Sequence, residues 1–326
     1  MRSPASPLAV WTGLIVLYIV WGSTFLGMKL AIDSVPPFLM IAIRFVPAGL
    51  LLGLGVAIHA RGSLRRPARR EVVDASIIGA LLLLGGTGLV AWSQQTVPIG
   101  VGAILIALVP MWIAIFGRVL FGDRLPPLVT VGIAVGLLGV AILAWPTGGV
   151  GDLDPAGLLA LLVSPVVWSI GTLYATKRAA LPEPALLGSA IQMVAAGLGA
   201  FVVAALTGEL RGFQLGQVTA TSWFGIAYLI TAGSLVGYTT YAWLIRVAPI
   251  SRVSTYAYVN PVVAVFLGWL VLSEPLTPRT ILASVVILVA VALIVTARGR
   301  AAGPATVQAA RNATPSAGRA EPEAAS

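Results

Sequence analysis

LAVWTGLIVLYIVWGSTFLGMK, the stretch Leu8–Lys29, is almost entirely apolar in its first half and acquires small and polar residues in its second half. It is as long as the roughly 20 residues that an α-helix needs to cross the hydrocarbon core of a bilayer. The segment Trp21–Lys29 contains two glycines, a serine, a threonine and a lysine, which contribute little apolar surface. The stretch therefore predicts a membrane-spanning helix with one face that serves a purpose other than contact with lipid.

The remainder of the chain has the same apolar character. Of its 326 residues, 58% are hydrophobic and 10% are charged, whereas soluble domains carry about 25% charged residues. Apolar runs of about 20 residues recur, so we predict an all-α integral membrane protein. Ten transmembrane helices are expected, at residues 9–32, 37–60, 72–95, 101–121, 126–145, 155–177, 184–206, 222–245, 252–272 and 278–297.

Basic residues indicate how these helices are oriented. They collect on alternate connecting segments, while the intervening segments hold only Arg211 and Arg279. Because Lys and Arg accumulate on cytoplasmic loops, we predict that both termini are cytoplasmic. The same distribution accounts for the net charge of +9, so we expect no nucleic-acid partner.

An internal repeat relates the two halves of the sequence. Residues 84–127 align without a gap with residues 235–278, and the matches include rare residue types. The tryptophan, proline and acidic matches are Trp92/Trp243, Pro98/Pro249, Pro110/Pro261, Pro127/Pro278 and Asp123/Glu274. Each copy holds five helices, an odd number, so the second copy enters the membrane from the opposite side. Such an inverted-topology repeat is typical of secondary transporters that work by alternating access.

The repeat also divides the chain. We predict an N-terminal cytoplasmic segment, a first five-helix repeat, an external linker, a second five-helix repeat and a disordered cytoplasmic tail. These segments comprise residues 1–8, 9–145, 146–154, 155–297 and 298–326.

Several short motifs resemble the EamA-type repeat of the drug/metabolite transporter superfamily. In the first half they are the segments Trp21–Lys29, Ile43–Phe45, Val109–Pro110 and Gly122–Leu125. In the second half they are Trp168, Asn260–Pro261 and Ser273–Leu276. The resemblance covers about residues 9–297. It implies a ten-helix carrier of small metabolites in the bacterial inner membrane, often an exporter of amino acids or related compounds.

Two cations lie within the predicted spans. Arg44 has two interpretations: its guanidinium binds a substrate carboxylate or phosphate, or it has a structural role bonded to freed carbonyls or a helix end. For Lys29, which lies one turn from the outer end of its span, we expect an ion pair with Asp33 or contact with interfacial water. A contact of Lys29 with substrate is the alternative.

The remaining candidates fall into three groups. Residues expected to line a substrate cavity, besides Arg44, are Trp21, Thr24, Trp168, Tyr238, Tyr256 and Asn260. Prolines expected to interrupt matching helices are Pro110 and Pro261, since each removes a backbone hydrogen bond. Small residues expected to let helices approach closely are Ser23, Gly27, Gly233 and Gly237.

The residue inventory also bears on chemistry. The chain has no cysteine and one histidine, His59, and no Asp or Glu is expected deep in a span. We therefore predict no catalytic residue, no metal site, no cofactor and no central carboxylate relay for protons. The predicted function is transport of a small metabolite, with the lipid bilayer as surroundings and a monomer or homodimer as the assembly. A non-transporting membrane partner or assembly protein is the alternative.

Overall fold

The computed structural model describes residues 6–145, 153–248 and 250–301, and the regular secondary structure in these ranges is helical throughout. We number the ten main helices α1 to α10. Their bounds are Pro7–Ala31, Pro37–His59, Arg69–Ser93, Ile99–Phe121, Pro127–Ala144, Pro155–Lys177, Ala185–Leu206, Ala220–Val247, Tyr256–Leu272 and Pro278–Ala301. Eight of them are long and apolar enough to cross a membrane, while α5 and α9 are shorter apolar helices.

Local signals explain where the helices begin. Five of them start with a proline, whose fixed φ suits the first helical position and whose missing N–H needs no partner there. Side chains satisfy some of the N–H groups that follow. Ser6 Oγ accepts from the Ala9 N–H (3.2 Å), and Asp154 Oδ2 accepts from the Gly157 N–H (2.6 Å). The expected spans therefore coincide with the helices to within a few residues.

Two helices contain a π-helical segment, Ala80–Thr87 in α3 and Leu229–Val236 in α8. A π-helical turn carries an extra residue and frequently marks a functional region. The two segments occupy similar positions in the two sequence repeats. They place the side chains that follow them on a new helix face.

The prolines in α4 and α9 have different effects. In α4 the helix is interrupted at Ala107 and Leu108, directly before Pro110. In α9, however, Pro261 lies within a continuous helix, so the predicted interruption at this residue is not found. The turn in this part of the chain lies earlier, at Ser254 and Thr255, after the single-turn helix Ile250–Val253. A helix loses one backbone hydrogen bond at a proline and continues where packing supports it.

The helices pack in pairs that join the two halves of the sequence. Helix α2 packs against α7, α5 against α10, α1 against α8 and α9, and α6 against α3 and α4. Glycines allow the closest approaches: a Cβ added to Gly49 would lie 2.8 Å from the Ala190 carbonyl oxygen. Large apolar side chains such as Leu8, Leu54, Leu206 and Leu282 point outward. This exposed apolar surface is suited to contact with lipid.

The predicted segments outside the helices are only partly described. Residues 1–5, 146–152 and 302–326 lie outside the described ranges. Most of the predicted N-terminal segment, linker and tail therefore has no structural description.

Candidate functional site

Arg44 is a buried charge about two turns into α2, and only 4% of the residue is exposed. Its Nε donates to Ser234 Oγ (3.2 Å) in the π-helical segment of α8. The guanidinium carbon lies 4.5 Å from the centre of the neighbouring Phe45 ring. Nη1 is buried and has no hydrogen-bond partner in the described part of the chain. The guanidinium therefore keeps unused donor capacity inside the protein.

Trp21 is the centre of an aromatic cluster formed by α1, α8 and α9. Its ring centre lies 5.8 Å from that of Tyr238, 5.3 Å from that of Tyr241 and 5.1 Å from that of Tyr256. The Trp21 pairs with Tyr238 and Tyr256 meet edge to face, a favoured geometry for aromatic side chains. The structure thus brings three of the predicted cavity residues together and adds Tyr241.

The four predicted small residues all lie in the contact between α1 and α8. The Ser23 hydroxyl shares a hydrogen bond with the Tyr228 hydroxyl (2.5 Å). A Cβ added to Gly27 would meet Tyr228 at 3.0 Å, and one added to Gly237 would collide with the Trp21 indole. Because these positions carry little or no side chain, the two helices approach closely around Trp21.

Thr24 and Gly233 connect the aromatic cluster to Arg44. A Cβ added to Gly233 would lie 3.0 Å from the Thr24 methyl and 3.3 Å from Arg44 Nη2. Thr24 is 9% exposed, and its hydroxyl donates to the Trp21 carbonyl (2.6 Å). Its polar atom is therefore engaged within α1, while its methyl group faces α8.

Asn260 lies one turn after Tyr256 on α9. Its Oδ1 is buried and has no hydrogen-bond partner among the described residues. A Cβ added to Gly22 would be 3.2 Å from the Asn260 carbonyl oxygen, so α9 passes close to α1 beside Trp21. We call this set of neighbouring residues the central junction: Trp21, Thr24, Arg44, Ser234, Tyr238, Tyr241, Tyr256 and Asn260.

Trp168 does not join the aromatic cluster in the described structure. Instead it packs against α3, where a Cβ added to Gly86 would lie 2.6 Å from Trp168 Cε3. This contact corresponds to that of Trp21 with Gly237, because Gly86 and Gly237 are matched in the sequence repeat. The tryptophan of each half thus rests on a glycine of the other half.

The predicted ion pair between Lys29 and Asp33 is wrong. Lys29 Nζ donates instead to the backbone carbonyl of Gln94 (2.6 Å) at the end of α3. Asp33 accepts from the Thr219 hydroxyl at 3.4 Å. A carbonyl at a helix end is a favourable partner for a cation because of the helix dipole, and here it lies closer than the carboxylate.

Carboxylates at the helix ends join neighbouring helices. Glu274, just after α9, accepts from the Ile99 N–H (2.7 Å) and the Gly100 N–H (3.3 Å) at the start of α4. Its repeat partner Asp123, just after α4, accepts instead from Lys177 Nζ (3.0 Å) at the end of α6. The two matched carboxylates therefore have different partners.

A third carboxylate, Asp74, is buried at the predicted cytoplasmic end of α3, whereas Asp123 and Glu274 are partly exposed. Asp74 accepts from the Tyr174 hydroxyl (2.7 Å) and from the Ala180 N–H (2.7 Å), and Arg70 Nε lies 3.7 Å away. These partners leave it little capacity for another ligand. Within the described residues, no group of three or more His, Cys, Asp or Glu side chains is placed to hold a metal ion.

Sequence reasoning missed some residues of the site. Ser234 is one serine among many, and only the fold places it beside Arg44. Tyr241 is nearly two turns before the end of α8, in a region where an aromatic residue is usually an interfacial anchor. For Glu274, the match with Asp123 in the repeat was a usable signal, but its partners at the start of α4 were not predictable from local sequence.

Comparison with known proteins identifies the family. The model of the EamA-like transporter family matches residues 9–145 and again residues 155–296. The chain belongs to this family. It is thus a membrane transporter of the drug/metabolite transporter superfamily, as the motifs around Trp21, Arg44 and Asn260 predicted.

Individual relatives agree with this assignment. The chain is 36% identical to the inner membrane transporter YedA of Escherichia coli K12, over 88% of this chain and 90% of that protein. It is 26% identical to the transporter YvbV of Bacillus subtilis, over 89% and 92%, and 25% identical to the chloroplastic WAT1-related protein At3g02690 of Arabidopsis thaliana, over 87% and 69%. A solved crystal structure shares the fold with a TM-score of 0.58 at 22% identity, over 95% of this chain and 100% of that one. With the apolar helices, these findings make the chain a multi-pass inner membrane protein.

Proposed function

We propose that this EamA-like transporter carries a small polar or amphipathic metabolite through the central junction by alternating access between two inverted five-helix repeats. The cargo that the family resemblance favours is an amino acid or a related compound, with export as the direction. The repeats are residues 9–145 and 155–297, and both termini lie in the cytoplasm in this proposal. In this proposal the cargo bonds to Asn260 Oδ1 and Arg44 Nη1, two buried polar atoms that have no hydrogen-bond partner among the described residues.

The observation that carries the proposal is the different pairing of two matched carboxylates. Glu274 bonds to the first N–H groups of α4, which draws α9 and α4 together at the predicted external end. Asp123 accepts from Lys177 Nζ at the end of α6 (3.0 Å). Two similar halves in opposite orientations can exchange conformations. The carboxylate that bonds to the start of a facing helix in one state then leaves that helix in the other state.

The packing of α4 also differs between its two ends, in agreement with the pairing of the two carboxylates. Near the predicted external end, Gly100 of α4 lies against Val265 of α9, since a Cβ added there would be 3.1 Å from Val265 Cγ2. The second half of α4, Val109–Phe121, packs mainly against α6 instead. We interpret this state as closed towards the outside. In the alternate state, Asp123 takes the place at the start of the single-turn helix Ile250–Val253 that Glu274 has at the start of α4.

Flux measurements test the carrier proposal. The purified protein is reconstituted into liposomes loaded with a broad panel of metabolites, and efflux is compared with that of protein-free liposomes. We expect at least one compound to leave faster than the leak rate. We also expect Asn260→Ala to lower the efflux rate of that compound by roughly tenfold, the effect of losing one good polar contact. The control Thr231→Ala, at an exposed position of α8, should retain the full efflux rate. Efflux at the leak rate for every compound contradicts the proposal.

A comparison of intracellular metabolites tests the direction. Overexpression in a bacterial host is expected to lower the internal level of the exported compound. A rise of that compound inside the cell contradicts export.

A further inference from the structure

We propose that Arg44 binds an oxyanionic group of the cargo, a carboxylate or a phosphate, so that the solute is a small organic anion or a zwitterion. This inference rests on the proposed carrier function and names the chemical class of its substrate. It also assigns Arg44 a direct contact with the solute rather than a structural role.

The first support is the incomplete bonding of the guanidinium. Arginine has five N–H donors in a planar fork. In the described structure, Nε bonds to Ser234 and the ring of Phe45 lies beside the guanidinium, while Nη1 is buried without an acceptor. An arginine with a purely structural role would direct its terminal nitrogens to backbone carbonyls. The pair of terminal nitrogens is the part of the fork that holds a carboxylate or phosphate in bidentate fashion.

The second support is the uncompensated charge. Ion pairs between described residues, such as Arg65–Glu71, Arg70–Asp74 and Lys177–Asp123, lie at or just outside helix ends and do not include Arg44. Serine and phenylalanine are neutral, so the groups around Arg44 do not balance its charge. A charge within a membrane-spanning segment is costly and normally faces a partner or a pathway. An anionic solute provides the missing counter-charge.

The third support is the chemistry around the guanidinium. Tyr238 follows Ser234 by one turn of α8, and its ring contacts Trp21 in the aromatic cluster. Gly233 adds no side chain between Arg44 and Thr24, and a Cβ there would come within 3.3 Å of Nη2. An oxyanion bound by Arg44 therefore has π-faces for the rest of the solute nearby. These suit an apolar group or, by cation–π attraction, an ammonium group.

Matched ligands test the inference. The wild-type protein is placed in nanodiscs of phosphatidylcholine, which excludes anionic lipid headgroups as competitors. Its thermal unfolding is followed at neutral pH with millimolar phenylalanine, 3-phenylpropionate or phenyl phosphate. Each is compared with its neutral counterpart, the same compound with a neutral group in place of the oxyanion: phenylalaninol, 3-phenylpropionamide or phenol. We expect at least one of the oxyanions to raise the melting temperature and its neutral counterpart to have no effect.

Variants then locate the effect. Arg44→Gln should abolish the stabilisation, and Arg44→Lys should weaken binding by roughly ten- to hundredfold because the fork is lost. Ser234→Ala removes only the partner of Arg44 Nε. This variant should keep its fold and bind the oxyanion several-fold more weakly. Arg246→Gln, an exposed cation at the end of the same helix, should bind like the wild type. Normal monodispersity of each variant shows that loss of binding is not loss of fold.

The outcomes separate this inference from the carrier proposal. Equal stabilisation by an oxyanion and its neutral counterpart, equal binding by Arg44→Gln, or no stabilisation of the wild type by any of the three oxyanions overturns the inference. If the wild type shows metabolite flux and Arg44→Gln shows the same flux, transport stands and the anion site falls. If the oxyanions bind through Arg44 but no compound crosses the bilayer, the site stands and the carrier proposal falls.

Discussion

At the residue scale, a glycine of α8 makes room for the indole of Trp21. Gly237 leaves space for Trp21, and a Cβ at this position would be 2.9 Å from Trp21 Cδ1. Position 21 was predictable as a cavity or packing residue from its place in the motif. Tyr238 and Tyr256 were predicted to line the same cavity, but direct ring contacts with them and with Tyr241 were not predictable, because all three are more than 200 positions away in the sequence.

Gly237→Ala is expected to be destabilising. The added methyl group must displace the Trp21 ring, and overpacking of this kind costs roughly 1–3 kcal/mol. Gly55→Ala is the matched control, because a Cβ at Gly55 meets no atom within 4 Å, and the better helix propensity of alanine favours it by up to about 1 kcal/mol. Thermal unfolding in detergent should give a lower melting temperature for the first variant and an unchanged or higher one for the second. Equal melting temperatures contradict the packing described here.

At the scale of the elements, helix positions follow from local sequence and helix irregularities do not. Apolar runs and prolines fixed the ends to within a few residues, since both act within a single turn. The π-helical segment Leu229–Val236 has no comparable local signal, because it depends on the helices packed around it. The same holds for the turn at Ser254 and Thr255, which was expected at Pro261. The Thr255 hydroxyl is held by a hydrogen bond to the Tyr18 hydroxyl of α1.

Asp74 joins three elements, and its replacement should loosen them together. It connects the start of α3 to Tyr174 of α6 and to the Ala180 N–H before α7. Asp74→Asn replaces an acceptor by an amide with only one oxygen, so we expect a loss of about 1–3 kcal/mol in stability. Ser76→Ala, at a partly exposed position of the same helix, should change stability by less than about 0.5 kcal/mol. Chemical unfolding followed by circular dichroism measures both, and equal effects would contradict this role of Asp74.

At the scale of the whole molecule, the account depends on two halves that adopt different states. The family and the helical bundle were predictable from composition, repeat and motifs, and the family matches cover nearly the whole chain in two parts. Which partner each carboxylate has was not predictable, since Asp123 and Glu274 are equivalent in the sequence. The structure distinguishes them by their partners, Lys177 for Asp123 and the start of α4 for Glu274.

Removal of the Glu274 charge should open the predicted external end. The chain has no cysteine, so a single Val265→Cys between α9 and α4 can be labelled without background. We expect a membrane-impermeant maleimide added from outside to label this cysteine several-fold faster when Glu274→Gln is present, because N–H bonds to a neutral amide are weaker. Asp123→Asn is the control and should not accelerate labelling. Equal rates in the two backgrounds contradict the role of Glu274 in closure.

The most direct test of alternating access is a pair of distances measured on the two ends of the same protein. Spin labels on Gln95→Cys and Leu276→Cys report on the predicted external end, and labels on Arg124→Cys and Arg252→Cys report on the predicted cytoplasmic end. All four residues are exposed in the structure. Distances are measured by pulsed electron–electron double resonance with and without Glu274→Gln. With this substitution, the external distance should increase and the cytoplasmic distance should decrease. Distances that stay unchanged, or that increase together, contradict alternating access between the two repeats.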